Sequence, residues 1–324
     1  MKDFTPFPVF ELLLVVALVS GPALIWWFVH VKLSSRAKKE ARLSFSARHS
    51  RRRNTQFAVR KVPAILSLTS HGSRLGRAHI AIETLLRQTV APERLILWLS
   101  DKLQANELPE PLRRQASRGL EIHFVHDIGP YTKVIPALRE FPGHPIVTVD
   151  DDSLYPRALL ARLWAAYEAE PAYVHCHRAH YILFDERGRL RPYGDWRKCV
   201  DYVDEPCFRI FPTGVGGVLY PPGALHPDVL AEELFLEICP SNDDVWLKAM
   251  SLLNNVKCRR LKGPHREFPL VTNTASSGLM NTNVYSGRTD QQIQAVFGRY
   301  DLFSRLHVLP LLPRSRGLLN GVSE

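Results

Sequence analysis

Asp150, Asp151 and Asp152 follow one another without a break, and three adjacent carboxylates repel unless a cation, basic groups or water offset the charge. A divalent metal is one solution. Hard oxygen ligands suit Mg2+ or Mn2+, and magnesium is often held by one or two carboxylates while phosphates of a bound molecule complete its shell. The competing role is structural: Asp152 or Ser153 caps the helix that follows and the other acids are solvated. A second acidic pair, Asp243-Asp244, opens a helical pattern through Trp246, Leu247, Met250 and Leu253. The positive end of a helix lowers a carboxylate pKa and suits capping, whereas a positioned carboxylate can also take a proton from an attacking hydroxyl. Between the two acidic groups, Gly214-Val215-Gly216-Gly217 lets backbone approach a ligand and offers N–H donors, or simply turns the chain.

The elements that must position these residues are legible as apolar runs alternating with helical stretches over residues 64–68, 78–87, 95–99, 120–125 and 134–141. Such alternation predicts βα units and a mainly parallel sheet. Ile146-Val147-Thr148-Val149 reads as a short buried strand that ends in the three aspartates, and Tyr155-Pro156 leads into a helical stretch over 158–167. In open α/β sheets ligands gather at the carboxyl ends of strands, which is where this acidic run falls. The second half is richer in loops, and no internal repeat is present.

With 324 residues, 45% of them hydrophobic, the chain can bury a real core, so disorder is excluded as the default. Its net charge is +10, yet residues 32–61 hold eleven Lys and Arg against Glu40 alone, so that stretch accounts for the whole excess. A basic charge confined to a linker argues against a nucleic-acid-binding face on the folded domain. Residues 12–31 carry no formal charge with His30 neutral; as a helix they would extend about 30 Å, the thickness of a bilayer core. Gly21-Pro22 lie near the middle and Trp26-Trp27 towards one end. The basic flank on the C-terminal side places the part after residue 31 in the cytoplasm by the positive-inside rule, in the cell inner membrane as a single-pass protein. The basic segment is then part solvated linker and part patch drawn to anionic lipid. The boundaries follow: 1–33 anchor, 34–61 basic juxtamembrane linker, 62–300 α/β domain, 301–324 tail.

Five cysteines, odd in number and without a C-x-x-C pair, indicate neither a disulfide framework nor a zinc ribbon. His175-Cys176-His177 and His180 sit in an alternating run over 173–184 that reads as strand in preference to a zinc site. His265 lies in the polar stretch after the last clear strand, 256–261, and is either a solvated loop histidine or a further metal ligand.

Leu68-Thr69-Ser70 with Arg74, then Gly129-Pro130-Tyr131-Thr132-Lys133, the triple aspartate, Pro212-Thr213-Gly214-Val215-Gly216-Gly217 and Asn242-Asp243-Asp244-Val245-Trp246 together resemble a bacterial GT-A glycosyltransferase domain, similar to glycosyltransferase family 2, over residues 62–300. The resemblance implies a Rossmann-like α/β fold, a nucleotide-sugar donor, a D-x-D metal site for Mn2+ or Mg2+, and a later acidic pair near the acceptor. It implies that Thr69 and Ser70 face the nucleotide base, that Asp150 and Asp152 straddle ribose, metal and diphosphate with Asp151 also on the donor, and that Arg74 and Lys133 are phosphate partners. Asp150, Asp152 and His265 would hold the metal, Gly216 and Gly217 would face the donor, and Asp244, with Asp243 as the second candidate, would be the general base. The expected acceptor is a hydroxyl of a lipid-linked molecule or polysaccharide at the cytoplasmic membrane face, with inversion at the anomeric carbon and no role for nucleic acid. Two other functions compete: nucleotidyl transfer, which wants a more glycine-rich turn after the first strand than His71-Gly72-Ser73-Arg74 provides, and a non-catalytic membrane scaffold that works through the basic linker.

Overall fold

The computed structural model describes residues 39–40, 43–49, 60–203, 205–264, 267–271 and 287–306. Strand β1 (Lys61–Thr69) is followed by helix α1 (Leu75–Leu86), β2 (Ala91–Ser100), α2 (Glu110–Ala116), β3 (Leu120–Val125), α3 (Ile135–Glu140) and β4 (Ile146–Thr148). These are βα units, and β1 pairs in parallel with β2 and β4 while β2 pairs in parallel with β3. Alternation along the strands divides two buried faces: Val62, Ala64, Leu66 and Leu68 enter one apolar cluster with α1 and α2, whereas Ile65, Ile96 and Trp98 enter another with Ala137 of α3. Side chains of successive strand residues point to opposite faces, so both sides of the sheet demand cover, and helices supply it.

The second half adds α4 (Leu159–Ala169), β5 (Val174–Cys176), β6 (Ala179–Tyr181), β7 (Ile210–Pro212), β8 (Val218–Tyr220), α5 (Glu232–Ile238), α6 (Asp243–Leu253), β9 (Cys258–Arg260), α7 (Arg288–Arg299) and α8 (Phe303–Leu306). The large sheet has the order β3-β2-β1-β4-β8-β5-β9, and β6 pairs with β7 in a small sheet. The mainly parallel expectation needs one amendment, because β8 runs antiparallel to both β4 and β5. Its reversal brings its first residues to the carboxyl end of β4, where Thr148 faces Val218. The chain builds outward from β1 to β3 and then returns to β4 on the other side of β1, so a switch point lies between the carboxyl ends of β1 and β4. The acidic run begins there.

Two boundaries differ from expectation. Residues 43–49 are helical, and Leu43 and Ala47 pack against Ile80, Ala81, Leu154 and Val271. Arg118 Nη1 donates to the His49 carbonyl at 3.2 Å and the Arg87 guanidinium sits 4.5 Å from the centre of the Phe45 ring. Part of the basic linker is therefore docked on the domain, through Leu43 and Ala47, which lie four residues apart on one side of a helical turn. At the other end, Leu302 and Leu306 are fully buried in the main cluster, so the core reaches into the segment expected as a tail. No helix among the described residues is long and apolar enough to cross a membrane; residues 12–31 lie outside the described residues.

Candidate active site

Strand β1 ends at Thr69, whose hydroxyl donates to the Trp98 carbonyl at 2.9 Å. Ser70, the next residue, donates its hydroxyl to Asp151 Oδ2 at 2.5 Å, and Asp151 is 2% exposed. Arg74, in the turn before α1, places one nitrogen 3.4 Å from Asp151 Oδ1 and the other 3.4 Å from Asp152 Oδ2. Asp151 thus faces inward and ties the end of β4 to the end of β1. Burial pushes its pKa up, against the opposing pull of Arg74. Asp150 and Asp152 remain partly accessible. Burial, and then repulsion from Asp150 and Asp151, pushes Asp152 up to about 6.

Lys133 joins the two acidic groups. Its backbone is held from the sheet, since Ser67 Oγ donates to the Lys133 carbonyl at 2.6 Å and receives the Trp98 indole N–H at 2.7 Å. Its buried ammonium lies 2.9 Å from Asp150 Oδ1 and 3.0 Å from Asp243 Oδ2. Lysine burial alone would lower the pKa, but Asp150 and Asp243 outweigh it and hold the group protonated. The residue expected as a phosphate partner is thus engaged with two carboxylates of its own chain.

The capping alternative for Asp243-Asp244 is answered by Asn242, which is the N-cap of α6 and accepts the Val245 N–H at 3.3 Å. Both aspartates are left for other work. Asp243 faces Lys133, and burial raises its pKa against that ion pair. Asp244 is partly accessible and is held by the Gly214 N–H, 3.0 Å from Oδ1 and 3.2 Å from Oδ2. Burial, with Asp243 beside it, pushes Asp244 up to about 7. At neutral pH such a carboxylate exchanges protons readily, which is what a general base requires.

The glycine run contributes by position. A Cβ on Gly214 would fall 2.8 Å from Lys133 Nζ and 3.2 Å from Asp244 Oδ1. On Gly216 it would meet Arg178 Cβ at 2.5 Å, and Gly217 has a φ of +83° with Leu159 against its bare side. Gly216 and Gly217 therefore turn those faces to packing, and Gly214, which was not singled out as a site residue, faces the acids. Tyr155 was also missed. Its hydroxyl receives the Asp150 N–H at 2.8 Å and donates to the Val215 carbonyl at 3.3 Å, so it locks the acidic loop to the glycine turn. The Tyr155-Pro156 signal marked a helix start but gave no hint of this link.

His265 lies outside the described residues. His175 and His177 are buried beneath the surface, with His175 Nε2 2.8 Å from the Glu170 carbonyl, and no group of three or more His, Cys, Asp or Glu that could hold a metal occurs among the described residues. All five cysteines are free thiols. The acidic loop still fits a hard cation of the kind held by one or two carboxylates with phosphates: Asp152 is partly accessible, and the repulsion from Asp150 and Asp151 that adds to burial in raising its pKa is one a cation would relieve. A cleft of about 760 Å3, lined by Phe184, Leu190, Arg191, Pro192, Asp195 and Phe303 among others, shares no lining with the acids.

No protein-family model matches the sequence, and no curated protein matches it. Solved structures with some likeness include S. aureus TarS residues 1–349, 13% identical, with 76% of this chain and 74% of that one covered at a TM-score of 0.41. The inositol-1-phosphate CTP transferase from T. maritima is 14% identical, with 74% and 98% covered at 0.39. GalNAc-T7, solved with UDP, GalNAc and Mn2+, is 11% identical, with 77% and 59% covered at 0.38. Sugar and nucleotide transferases both occur among these neighbours, and at these TM-scores the likeness decides nothing between them. The site has to carry the choice.

Proposed function

We propose that the protein is a glycosyltransferase that moves a sugar from a nucleotide-diphosphate sugar to a hydroxyl of a lipid-linked or polysaccharide acceptor. The observation that carries this is Asp244: a partly accessible carboxylate, set at about 7, fixed by a backbone N–H and linked through Asp243 and Lys133 to the acidic loop at the switch point. A hydroxyl that attacks an anomeric carbon must lose a proton, and Asp244 accepts it; direct displacement of this kind inverts the centre. Asp152, with Asp150, would hold Mg2+ or Mn2+, which when bound supplies positive charge for the departing diphosphate. Arg74 lies beside Asp152 and adds a cation on the same side, while Gly214 and Tyr155 keep base and loop in register. Nucleotidyl transfer would place the reaction at a phosphate, where catalysis relies on positioning and charge and a base near pH 7 is less demanded.

A screen of nucleotide sugars with Mn2+ tests the proposal: release of a nucleoside diphosphate with free or transferred sugar supports it, whereas pyrophosphate release from a nucleoside triphosphate contradicts it. The same proposal includes an anchor at residues 12–31 with the domain in the cytoplasm, supported by the charge asymmetry of the flanks. A reporter fused after Glu324 should be protected from protease in intact cells. Digestion from outside would reverse the orientation.

A further inference from the structure

Next to the acidic loop lies a small apolar cluster, separate from the larger cores. Leu154, two residues after Asp152, packs there with Val271 and with Ile80 and Ala81 of α1, and all four are buried. Residues 267–271 clasp the loop through its main chain. The Leu154 N–H donates to the Pro269 carbonyl at 2.8 Å, the Val271 N–H donates to the Asp152 carbonyl at 2.6 Å, and Ser153 faces Leu270 in an antiparallel bridge. Phe268 adds an edge-on contact to Tyr155, whose hydroxyl holds the Asp150 N–H. The main chain of Asp152 is thus fixed by a short clasp, and the clasp is seated on the cluster through Leu154 and Val271.

The outer cover of this cluster comes from the linker. Leu43 and Ala47, in the helix over residues 43–49, are the partly buried apolar side chains packed against it. Two further contacts clamp that helix. Arg118, ion-paired with the fully buried Glu83 at 2.8 Å, donates to the His49 carbonyl, and the Arg87 guanidinium lies over the Phe45 ring. Local opening is easiest where few buried apolar contacts oppose it, and a cluster of four buried residues offers few. Uncovering it exposes Leu154 and Val271 to water, which favours release of the clasp on Asp152 while the sheet stays intact.

We infer that the linker helix is a positioning element of the active site: by covering Leu154 and Val271 it holds the Asp150–Asp152 loop in the geometry that receives the cation. This rests on the proposed role of that loop and adds to the site a pair of residues from outside the α/β domain. Leu43 and Ala47 are positioning residues, since they act on the loop through Leu154 and Val271. The segment that the charge pattern marks only as a basic linker thereby controls how firmly the acids are held.

Hydrogen exchange and Mn2+ binding, both on the full chain in detergent, test it. L43N/A47Q makes the covering face polar without adding charge, and S44N alters the exposed side of the same helix. In L43N/A47Q the Leu154 and Val271 amides should exchange about tenfold faster or more, while the β1 amides paired with β2 keep their wild-type rates. The Mn2+ concentration for half-saturation, read by electron paramagnetic resonance, should rise about tenfold as the loop loosens. S44N should match the wild type in both. Four results would each overturn the inference: equal acceleration in β1, which reduces the helix to a share of global stability; unchanged exchange at Leu154 and Val271; an Mn2+ affinity that holds while those amides loosen; or an S44N that behaves like the double variant. L43A, which trims a partly buried side chain and stays apolar, serves where the double variant folds poorly. It should move both readouts the same way by a smaller factor, and wild-type values there count against the helix as well. A wild type that binds no Mn2+, with Leu154 and Val271 still loosened in L43N/A47Q, would sink the metal reading and leave the helix as the brace of the loop.

Discussion

The loop at Asp150–Asp152 and the pair at Asp243-Asp244 use the same side chain at the same close spacing, yet their surroundings prepare them for different work. In the loop, Ser70 and Arg74 turn Asp151 inward and leave Asp152 beside two like charges. In the pair, Asn242 takes over the capping and a single backbone N–H holds Asp244. Under the proposed function, the first arrangement accumulates negative charge for a cation, and the second sets one carboxylate near neutrality for a proton. Lys133 touches both, so neither group can be understood alone. Adjacent acids do not announce their role by type; the donors and cations packed against them decide it.

The largest way to break this contrast is D244N, which keeps size and a hydrogen-bond acceptor for Gly214 but removes the proton acceptor. Transfer to acceptor should fall by about a hundredfold or more at equal folded fraction, with donor affinity retained. D243N should do less. In the wild type, kcat/KM should decline below about pH 7 as Asp244 becomes protonated, and a profile flat from pH 5 to 8 would count against the base.

Lys133→Met attacks the link instead. With the ammonium gone, buried Asp243 is left without its cation and the partly accessible Asp150 loses its partner, and thermal or denaturant unfolding should show a loss of about 3 kcal/mol or more. A near-normal melting temperature would show that the bridge is not formed in solution. Gly214→Ala should separate position from stability: a methyl group 3.2 Å from Asp244 Oδ1 displaces the base, so transfer should drop about tenfold to a hundredfold while donor affinity holds. Gly216→Ala, whose methyl would strike Arg178 backbone and Cβ, should cost folding first.

Much of the frame was readable from local pattern. The alternation over residues 120–125 coincides with β3, and the strand ending at the aspartates coincides with β4 to within a residue. Long-range pairing was not readable. The single strand expected over 173–184 divides because Cys176 pairs with Val218 in the large sheet while Ala179 pairs with Pro212 in the small one, and no local pattern encodes a change of partner. The same limit applies to the site. Asp150, Asp152 and Asp244 stood out by type and context, but the grip of Lys133 joins residues 17 and 110 positions away, and only the fold distinguishes Gly214 from the two glycines after it.

A further effect is expected in the pH dependence of stability. Asp244 has a folded pKa of about 7 against an ordinary value of 3.8, so the folded chain holds a proton that the unfolded chain releases. Its contribution to stability is full below about pH 4 and is lost as the pH rises through 7. D244N has no such loss, so its melting temperature relative to the wild type should rise between pH 4 and 8. A gap that narrows or stays constant would place the pKa of Asp244 near its ordinary value.

The division of labour itself is tested most directly by donor cleavage and transfer measured side by side in wild type, D152N and D244N, with and without chelator. The account predicts that the wild type releases a nucleoside diphosphate in Mn2+ and transfers sugar, that D152N and chelator abolish donor binding, and that D244N binds donor but does not transfer. Equal transfer in D244N and wild type, or donor binding unchanged in D152N and in chelator, would contradict it.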